Sequence, residues 1–516
     1  MWPQHSKQEE IMEALDLALI ADAWARLFEL DSMVYLLLGT LIGLIFGVLP
    51  GLGGTTALAL LIPFSMNMEA GDAIILMAGV MGVAPTSGAV TAILLNTPGT
   101  APNAATTLDG YPLAQQGKGG LAIGAAATAS GLGGIIGIIF LIAMVPITRE
   151  IVLMFAPMEF LLLAVLGLVT VSLSTGKKFV KSLIVGLFGL IIASVGYHEV
   201  TGEERFTFGV DYLWDGFKLV PVMIGFFAVS EMINLWAKQG SVAGSGNIEA
   251  INMRQVFQGC LVPIREWRVL LRGSAIGTGV GALPGVGGTV AAFMAYTIAV
   301  TTAKPSDRDS FGKGNIVGVI APESANNAKE GGALVPTLAF GIPGSAEMAV
   351  FLSVLILHGM VPGPTIMTES LDIIWILIAA SAVSGVIASI ITILAASSIA
   401  KLTFVDSRTL VPIVLAFAMI GSYSLDNEIY DVFTTLAFGF IGFTFMRFGF
   451  PRISFPLAIV LGPLMETSYF QTLRIGDGTL SILFDRPQSL VIMALILGCI
   501  IYYLKGFISS PSIKES

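Results

Sequence analysis

The densest polar stretch in an otherwise apolar chain is Ala321-Pro322-Glu323-Ser324-Ala325-Asn326-Asn327-Ala328-Lys329-Glu330-Gly331-Gly332. Carboxylate, amide and hydroxyl oxygens in such proximity suit a dehydrated monovalent cation, and an ammonium suits a carboxylate. On that chemistry Glu323 is a candidate ligand for a coupling cation or proton, Ser324 for the cation, Asn326 and Asn327 for sodium or the solute, and Lys329 for a solute carboxylate. Ionisable groups inside apolar segments are costly, and they default to functional hypotheses. The competing reading pairs Lys329 with Glu330 at a loop surface. A second polar tip, Asn96-Thr97-Pro98-Gly99-Thr100, ends the apolar run from Ala89 to Leu95. Asn96 and Thr97 offer oxygens to a cation; Thr97, Gly99 and Thr100 offer amides and hydroxyls to a carboxylate. An ordinary capped turn outside the membrane is the plainer alternative. Glu159, Glu231 and Glu347 border apolar runs and read as interface markers rather than as relays.

These tips need elements that hold them. Gly47-Val-Leu-Pro50-Gly51-Leu-Gly53-Gly54-Thr55 lies inside Ser32–Met68, 37 residues without a charge. As one straight helix that run would measure about 55 Å, against a hydrocarbon thickness of about 30 Å. Pro50 lacks an amide proton, and the glycines tolerate non-helical angles, so the helix is expected to stop there. Main chain freed at membrane depth is tolerated only where protein buries it or a polar cavity solvates it. Thr55 and Thr56 are then expected to cap the following helix, whose exposed amides attract an anion. Gly51, Gly53, Gly54 and Thr55 are therefore candidate solute ligands. A surface Gly-Pro turn, or small residues for close helix packing, is the bland reading.

The breaker occurs twice. Thr55 aligns with Thr289 at an offset of 234, in Gly281-Ala-Leu-Pro284-Gly285-Val-Gly287-Gly288-Thr289, which adds Gly285, Gly287, Gly288 and Thr289 to the candidates. Asn96-Thr-Pro-Gly99-Thr100 aligns with Gly341-Ile-Pro-Gly344-Ser345 at an offset of 245, which adds Gly344 and Ser345. The net insertion of 11 falls in the polar Lys304–Asn315 segment. Both tips are expected to return as re-entrant hairpins. Paired interrupted segments in two halves point to an internal repeat, and sidedness arguments make the halves inverted. The expected divisions are an acidic, amphipathic N-terminal segment at 1–31, repeats at 32–237 and 271–508, a cytoplasmic linker at 238–270 and a tail at 509–516.

Composition fixes the class. The chain is 55% hydrophobic and 12% charged with a mean hydropathy of +0.86, so it reads as an all-α integral membrane protein with roughly 11 to 13 crossings. Period-two alternation is absent from these runs, which disfavours a barrel. Lys177, Lys178, Lys181, Arg254, Arg265, Arg268 and the 401–408 and 447–452 segments mark the cytoplasmic side; 199–215 and 426–431 mark the other. The C-terminus is then cytoplasmic and the N-terminus periplasmic. Leu17, Ile20, Ala21, Trp24, Leu27 and Phe28 follow helical spacing, suiting an interfacial or docking helix. A net charge of −9 without a basic cluster argues against nucleic acid as a partner. Two cysteines and three scattered histidines supply neither a disulfide framework nor a zinc hydrolase site, and a Walker-type sequence is missing.

Gly47–Gly54, Ala92–Gly99, Leu108-Asp-Gly-Tyr-Pro-Leu-Ala-Gln-Gln-Gly117, Thr201-Gly-Glu-Glu-Arg-Phe-Thr-Phe-Gly209, Ala321–Ala328 and Gly341–Ser345 occur together over nearly the full chain. In these residues the chain resembles the TctA large membrane subunit of tripartite tricarboxylate transporters. The resemblance implies a bacterial inner-membrane permease acting with a small membrane subunit and a periplasmic solute-binding protein. It also implies uptake of a carboxylated solute driven by sodium or protons, with no cofactor beyond a sodium ion. One departure bears on the solute: Val83-Ala84-Pro85-Thr86-Ser87-Gly88 stands where family members often read Tyr-Gly-Gly-Ser. The expected function is cation-coupled import by alternating access around a site built from both repeats. A membrane channel or an intramembrane enzyme is the alternative, and the histidines offer an enzyme no nucleophile–base pair.

Overall fold

The computed structural model describes residues 17–198, 201–238 and 251–509. In chain order its principal helices are α1 (Leu17–Leu27), α2 (Leu30–Val48), α3 (Gly53–Ser65), α4 (Ala70–Met81), α5 (Ala84–Leu95), α6 (Ala104–Leu113), α7 (Gly119–Leu153), α8 (Pro157–Ser174) and α9 (Phe179–Ala193). Then come α10 (Leu219–Met223), which runs through a π-helical stretch (Ile224–Val229) into α11 (Ser230–Lys238), and α12 (Met253–Cys260). The rest are α13 (Trp267–Gly281), α14 (Gly287–Thr302), α15 (Val317–Phe340), α16 (Ala346–Leu357), α17 (Leu371–Lys401), α18 (Ser407–Tyr423), α19 (Ile429–Arg447), α20 (Ser454–Ile475) and α21 (Pro487–Ser509). Among the described residues the strands are one two-residue pair, Gly196–Tyr197 with Glu204–Arg205.

Among the described residues, seven helical stretches are long and apolar enough to cross a membrane, and five shorter apolar helices accompany them. Several face outward with their greasy side. In α19, Phe433, Leu436 and Phe440 are exposed while Thr434, Thr435, Gly439 and Gly442 are buried. That inside-out distribution is what lipid rewards: small residues let helices meet, and bulky ones face the chains. The largest interior cluster holds Phe226, Phe351 and Phe455, with the Phe226 and Phe455 rings stacked at 4.2 Å.

The chain breaks at both breakers. α2 stops at Val48 and α3 starts at Gly53, with Gly51 at φ 88° and Gly53 at φ 62°. α13 stops at Gly281 and α14 starts at Gly287, with Gly285 at φ 70° and Gly287 at φ 72°. These left-handed angles strain any residue with a Cβ, which explains the glycines. The tips match as well. Asn96 (φ 54°) and Gly341 (φ 66°) both end a helix in the left-handed conformation. One residue later, the Thr97 amide donates back to the Thr91 carbonyl at 3.3 Å, and the Ile342 amide to Pro336 at 3.2 Å. The tips thus fold back along the helices they terminate.

Glycine spacing sets the helix pairing. Added methyl groups at Gly39, Gly43 and Gly47 of α2 would collide with Leu76, Val80 and Ala84. At Gly273, Gly277 and Gly281 of α13 they would collide with Ala321, Ala325 and Lys329. The two sets are related by the offsets 234 and 245, so α13 lies on α15 as α2 lies on α4 and α5. On another face, Gly133 and Gly137 of α7 admit the main chain of Ser324 and Ala328, which buries α15 almost throughout.

Three expectations change on contact with the structure. Thr55 and Thr56 do not cap α3: the helix begins at Gly53 after Leu52, with no side-chain cap. The 238–270 segment is more than a linker, because α12 packs on α7 where Gly124 meets Val256 and Gly259 meets Leu121; residues 239–250 lie outside the described residues. The N-terminal helix α1 buries Ala23 and Leu27 against its neighbours, and its Arg26 pairs with Glu69 at 2.8 Å; residues 1–16 lie outside the described residues. Two pairs of loop segments meet: Tyr212 of the 199–215 segment donates to Asp431 Oδ1 at 2.8 Å, and Lys181 donates to the Phe448 carbonyl at 3.0 Å.

Replacing Gly99 by Val, or Gly344 by Val, is expected to destabilise the fold by about 1–3 kcal/mol through overpacking. A Cβ at Gly99 meets the Gly47 carbonyl and the Gly88 Cα (2.6 Å), whereas one at Gly279 meets nothing within 4 Å. Thermal unfolding of the detergent-solubilised protein, with Gly279→Ala as the neutral control, checks this.

Candidate functional site

The two breaks and the two tips converge on one cavity of about 530 Å³. Gly51, Gly53, Gly54 and Thr55 line it from the first break, and Gly287, Gly288 and Thr289 from the second. Pro98, Gly99, Thr100, Ala101 and Pro102 contribute the first tip, and Ser345, Ala346 and Glu347 the second. Lys329 of α15, Phe227 and Glu231, and Arg452 with Ile453 complete the wall.

Helix ends give the cavity its character. α3 follows Leu52 and α14 follows Val286, neither of which supplies a side-chain cap. The first amides of both helices therefore have no intrahelical carbonyl and no cap, and the positive ends of two helix dipoles lie at the same cavity. α16 also starts there, its Ser345 Oγ accepting from the Met348 amide at 3.3 Å. Uncapped helix N-termini are ready-made sites for anions.

Charged side chains stand in two groups. Lys329, almost fully buried, donates to the Glu330 carboxylate and lies 3.4 Å from Oε2 of Glu347. Arg452 pairs with Glu231 and donates to Ser230 Oγ at 3.0 Å. Glu347 reaches the start of α3: a methyl group at Gly54 would lie 2.7 Å from its Oε1. Both cations at the cavity wall thus already face carboxylates. The balance of Lys329 and Arg452 against Glu330, Glu347 and Glu231 leaves one negative charge in excess.

Of the candidate solute ligands, Gly51, Gly53, Gly54, Thr55, Gly99, Thr100, Gly287, Gly288, Thr289, Lys329 and Ser345 line the cavity, and Thr97, Gly285 and Gly344 do not. Thr97 turns its hydroxyl to the Leu95 carbonyl at 3.1 Å. Gly285 packs on Val171 and its carbonyl accepts from Ser174 at 3.0 Å; Gly344 is pressed against Ala333 and Gly281. Lys329 and Glu330 do pair, but inside the protein rather than at a loop surface.

The candidate cation ligands are not gathered in one place. Asn96 is exposed at its helix end, where its mate is Gly341, so the left-handed turn accounts for it. Ser324 donates to the Ala321 carbonyl at 3.0 Å. Glu323 is fully buried and accepts from Thr106, from Ser130 at 2.9 Å and from Asn103 Nδ2 at 3.0 Å. Asn103 holds the first tip too, accepting from the Thr100 amide at 3.3 Å and donating to the Pro85 carbonyl at 2.9 Å. Asn327 donates to Thr86 Oγ1 at 2.9 Å and to the Gly82 carbonyl at 3.1 Å. Asn326 is buried with no hydrogen-bond partner for either side-chain atom.

Glu231 and Glu347, which read from sequence as interface markers, and Arg452, which reads as part of a cytoplasmic basic segment, all line the cavity. Glu347 was within reach of inspection, since it stands two residues after Ser345 in a duplicated tip. Glu231 and Arg452 carry no such signal: they lie far apart in sequence, and only helix packing brings them together. Glu159 does serve an interface, accepting from the Ala156 amide at 2.7 Å, Ser489 at 2.6 Å and Arg486 at 2.9 Å.

Long apolar helices, paired helix breaks and an interior cavity carrying charge define a polytopic α-helical membrane protein with a solute-sized internal site. Residues 33–457 match the Tripartite tricarboxylate transporter TctA family. The chain belongs to that family, a family of transporters. It is 32% identical over 486 residues to an uncharacterized 52.8 kDa protein in the TAR-I ttuC' 3' region of Agrobacterium vitis, covering 94% of this chain and 95% of the relative. A second relative, an uncharacterized protein in the TAR-II ttuC' 3' region of the same organism, is 32% identical over 240 residues, which are 46% of this chain and 96% of the relative. No solved structure matches the chain.

Removing the Lys329 charge leaves two buried carboxylates facing each other, so Lys329→Met is expected to cost about 3–5 kcal/mol of stability. Adding Glu347→Gln should return part of that loss. A double-mutant cycle on thermal unfolding measures the coupling, and strict additivity of the two changes would show that the pair does not interact.

Proposed function

We propose that the chain is the large permease subunit of a tripartite secondary transporter that imports a carboxylated organic solute with sodium or proton cotransport. The observation that carries this reading is the convergence of two uncapped helix N-termini, one from each half, on a cavity also reached by Lys329 and Arg452. Main-chain amides at such ends bind carboxylate oxygens without needing a free side-chain charge. The cavity volume of about 530 Å³ holds a small organic acid with accompanying water.

The way the site is assembled supports alternating access. Each half contributes one break and one tip, so a shift of one half against the other changes which face the cavity opens to. A pseudo-two-fold relation between the halves, which an inverted repeat requires, has support in one contact. Gly82 and Asn327 are equivalent under the offset of 245, and the Asn327 side chain donates to the Gly82 carbonyl at 3.1 Å. Contact between equivalent positions is what a two-fold axis produces.

The family implies a small membrane subunit and a periplasmic solute-binding protein as partners, in a bacterial inner membrane. The periplasmic N-terminus and cytoplasmic C-terminus follow from the distribution of basic loops. The solute is a tricarboxylate or a related organic anion. Because Lys329 and Arg452 are compensated, a solute of low charge fits with least repulsion, and a cation taken up with it offsets each extra carboxylate.

Proteoliposomes containing the chain, its small subunit and loaded binding protein should accumulate the solute against its gradient only while a sodium or proton gradient exists. Gly288→Val should depress that uptake at least tenfold in folded protein, since the added carbons enter the space shared by Lys329 and Pro102. Uptake indifferent to collapse of both gradients would refute secondary transport and favour a channel.

A further inference from the structure

A second, much smaller cavity lies on the opposite side of α15, with room of about 20 Å³, enough for a single water-sized occupant. It is bounded by Met81 and Gly82 where α4 meets α5, by Gly131 and Gly134 of α7, by Asn327 and Glu330 of α15, and by Ser381 and Gly385 of α17. Asn327 and Glu330 are three residues apart on one helix, so they present their side chains on one face.

Two oxygens among these groups are buried without a hydrogen-bond partner: Asn327 Oδ1 and Glu330 Oε2. Their residues are only 3% and 7% exposed. The Asn327 amide cannot turn to hide its oxygen, because its nitrogen donates to the Gly82 carbonyl, which can only accept. Glu330 is held likewise, its Oε1 engaged by Lys329. Both residues bound one ion-sized space, and an unpartnered carboxylate oxygen together with an unpartnered amide oxygen there, beside a Ser381 hydroxyl that can turn its own oxygen inward, suits a hard, dehydrated cation.

The geometry points to a sodium-sized monovalent cation site in this small cavity, ligated by Asn327 Oδ1 and Glu330 Oε2, that controls the charge of Lys329 in the solute cavity. The idea rests on the cation-coupled reading above and supplies its linkage. The two oxygens of the Glu330 carboxylate divide its contacts: Oε1 holds Lys329, which lines the large cavity, and Oε2, which has no hydrogen-bond partner, is the one left for the cation. With the cation absent, one ammonium faces the carboxylates of Glu330 and Glu347, and an incoming carboxylate meets net negative charge. With it bound, Glu330 is balanced from behind, and Lys329 offers its charge forward. Cation and solute then raise each other's affinity by the same factor, as linkage requires.

The test uses the full chain in lipid nanodiscs, titrated with sodium chloride against choline chloride and potassium chloride at constant ionic strength and pH, with thermal unfolding as the readout. Wild-type protein should be stabilised saturably by sodium and not by choline. Asn327→Ala should weaken the apparent sodium affinity at least tenfold. Gly134→Ala should do the same without removing a ligand, because Gly134 lines the small cavity and the added methyl group would lie 3.8 Å from Asn327 Cβ. Gly279→Ala, where an added methyl group meets nothing within 4 Å, should keep the full response. A response equal for sodium and choline, one that follows pH instead of sodium, or unchanged sodium affinity in both variants would overturn the site. Uptake by the assembled complex separates this outcome from the broader reading. Sodium-coupled uptake with unchanged sodium affinity in both variants removes the site alone, and gradient-independent uptake removes cotransport whatever binds here.

Discussion

Main chain lying on main chain is the constraint on which the cavity depends. Gly99 rests on the Gly47 carbonyl and the Gly88 Cα, and Gly344 rests on the Gly281 carbonyl and Ala333. A break in a membrane helix exposes amides and carbonyls that lipid cannot satisfy, so it survives only if protein closes around it. Here the tip closes the break: in each half the fold-back segment is laid against the last turn of the broken helix. The exposed amides then face the one direction left open, the space shared with the other half. Cavity, helix ends and glycine pattern are consequences of a single packing arrangement made twice.

The part of this that could be read from sequence is the part governed by local chain chemistry. Pro50 and its neighbouring glycines predict a break, Thr55 and Thr289 fix the duplication, and the offsets recur in the glycine contacts of α2 and α13. Most candidate solute ligands accordingly line the cavity. Side-chain direction was less legible. Asn96 was selected for its oxygen, yet a left-handed helix end requires Asn or Gly and leaves the side chain outside. Thr55 falls inside the first turn of α3 because the helix starts three residues earlier than a Thr55 cap would place it. Glu231 and Arg452 meet only through tertiary packing, across a separation no spacing argument covers.

The matched breaks, tips and glycine contacts of the two halves carry different charges. At the offset of 245, Lys329 stands where the first half has Ala84, Glu330 where it has Pro85, Asn327 where it has Gly82 and Glu323 where it has Ala78. The matched segments therefore carry this polar cluster in one half only. The apolar partner helix is not passive: Gly82 and Thr86 hold Asn327, and Asn103 and Thr106 hold Glu323. Each half thus completes the polar groups of the other, and neither could be removed without leaving buried charge or amide unsatisfied.

On the proposed carboxylate-uptake reading, charge compensation lets such a protein admit anions and still fold. An uncompensated lysine and arginine in the interior would be expensive, and their carboxylate partners make them tolerable. The same partners weaken them as anion receptors, because a solute must compete with Glu347 and Glu231 for every cation at the wall. Helix amides escape that conflict: the ends of α3 and α14 carry only partial charge, demand no counter-ion when vacant and regain hydrogen bonds when a carboxylate arrives. A site that relies on amides for binding and keeps its full charges in balanced pairs can be emptied as readily as filled. That is what transport, unlike storage, requires of it.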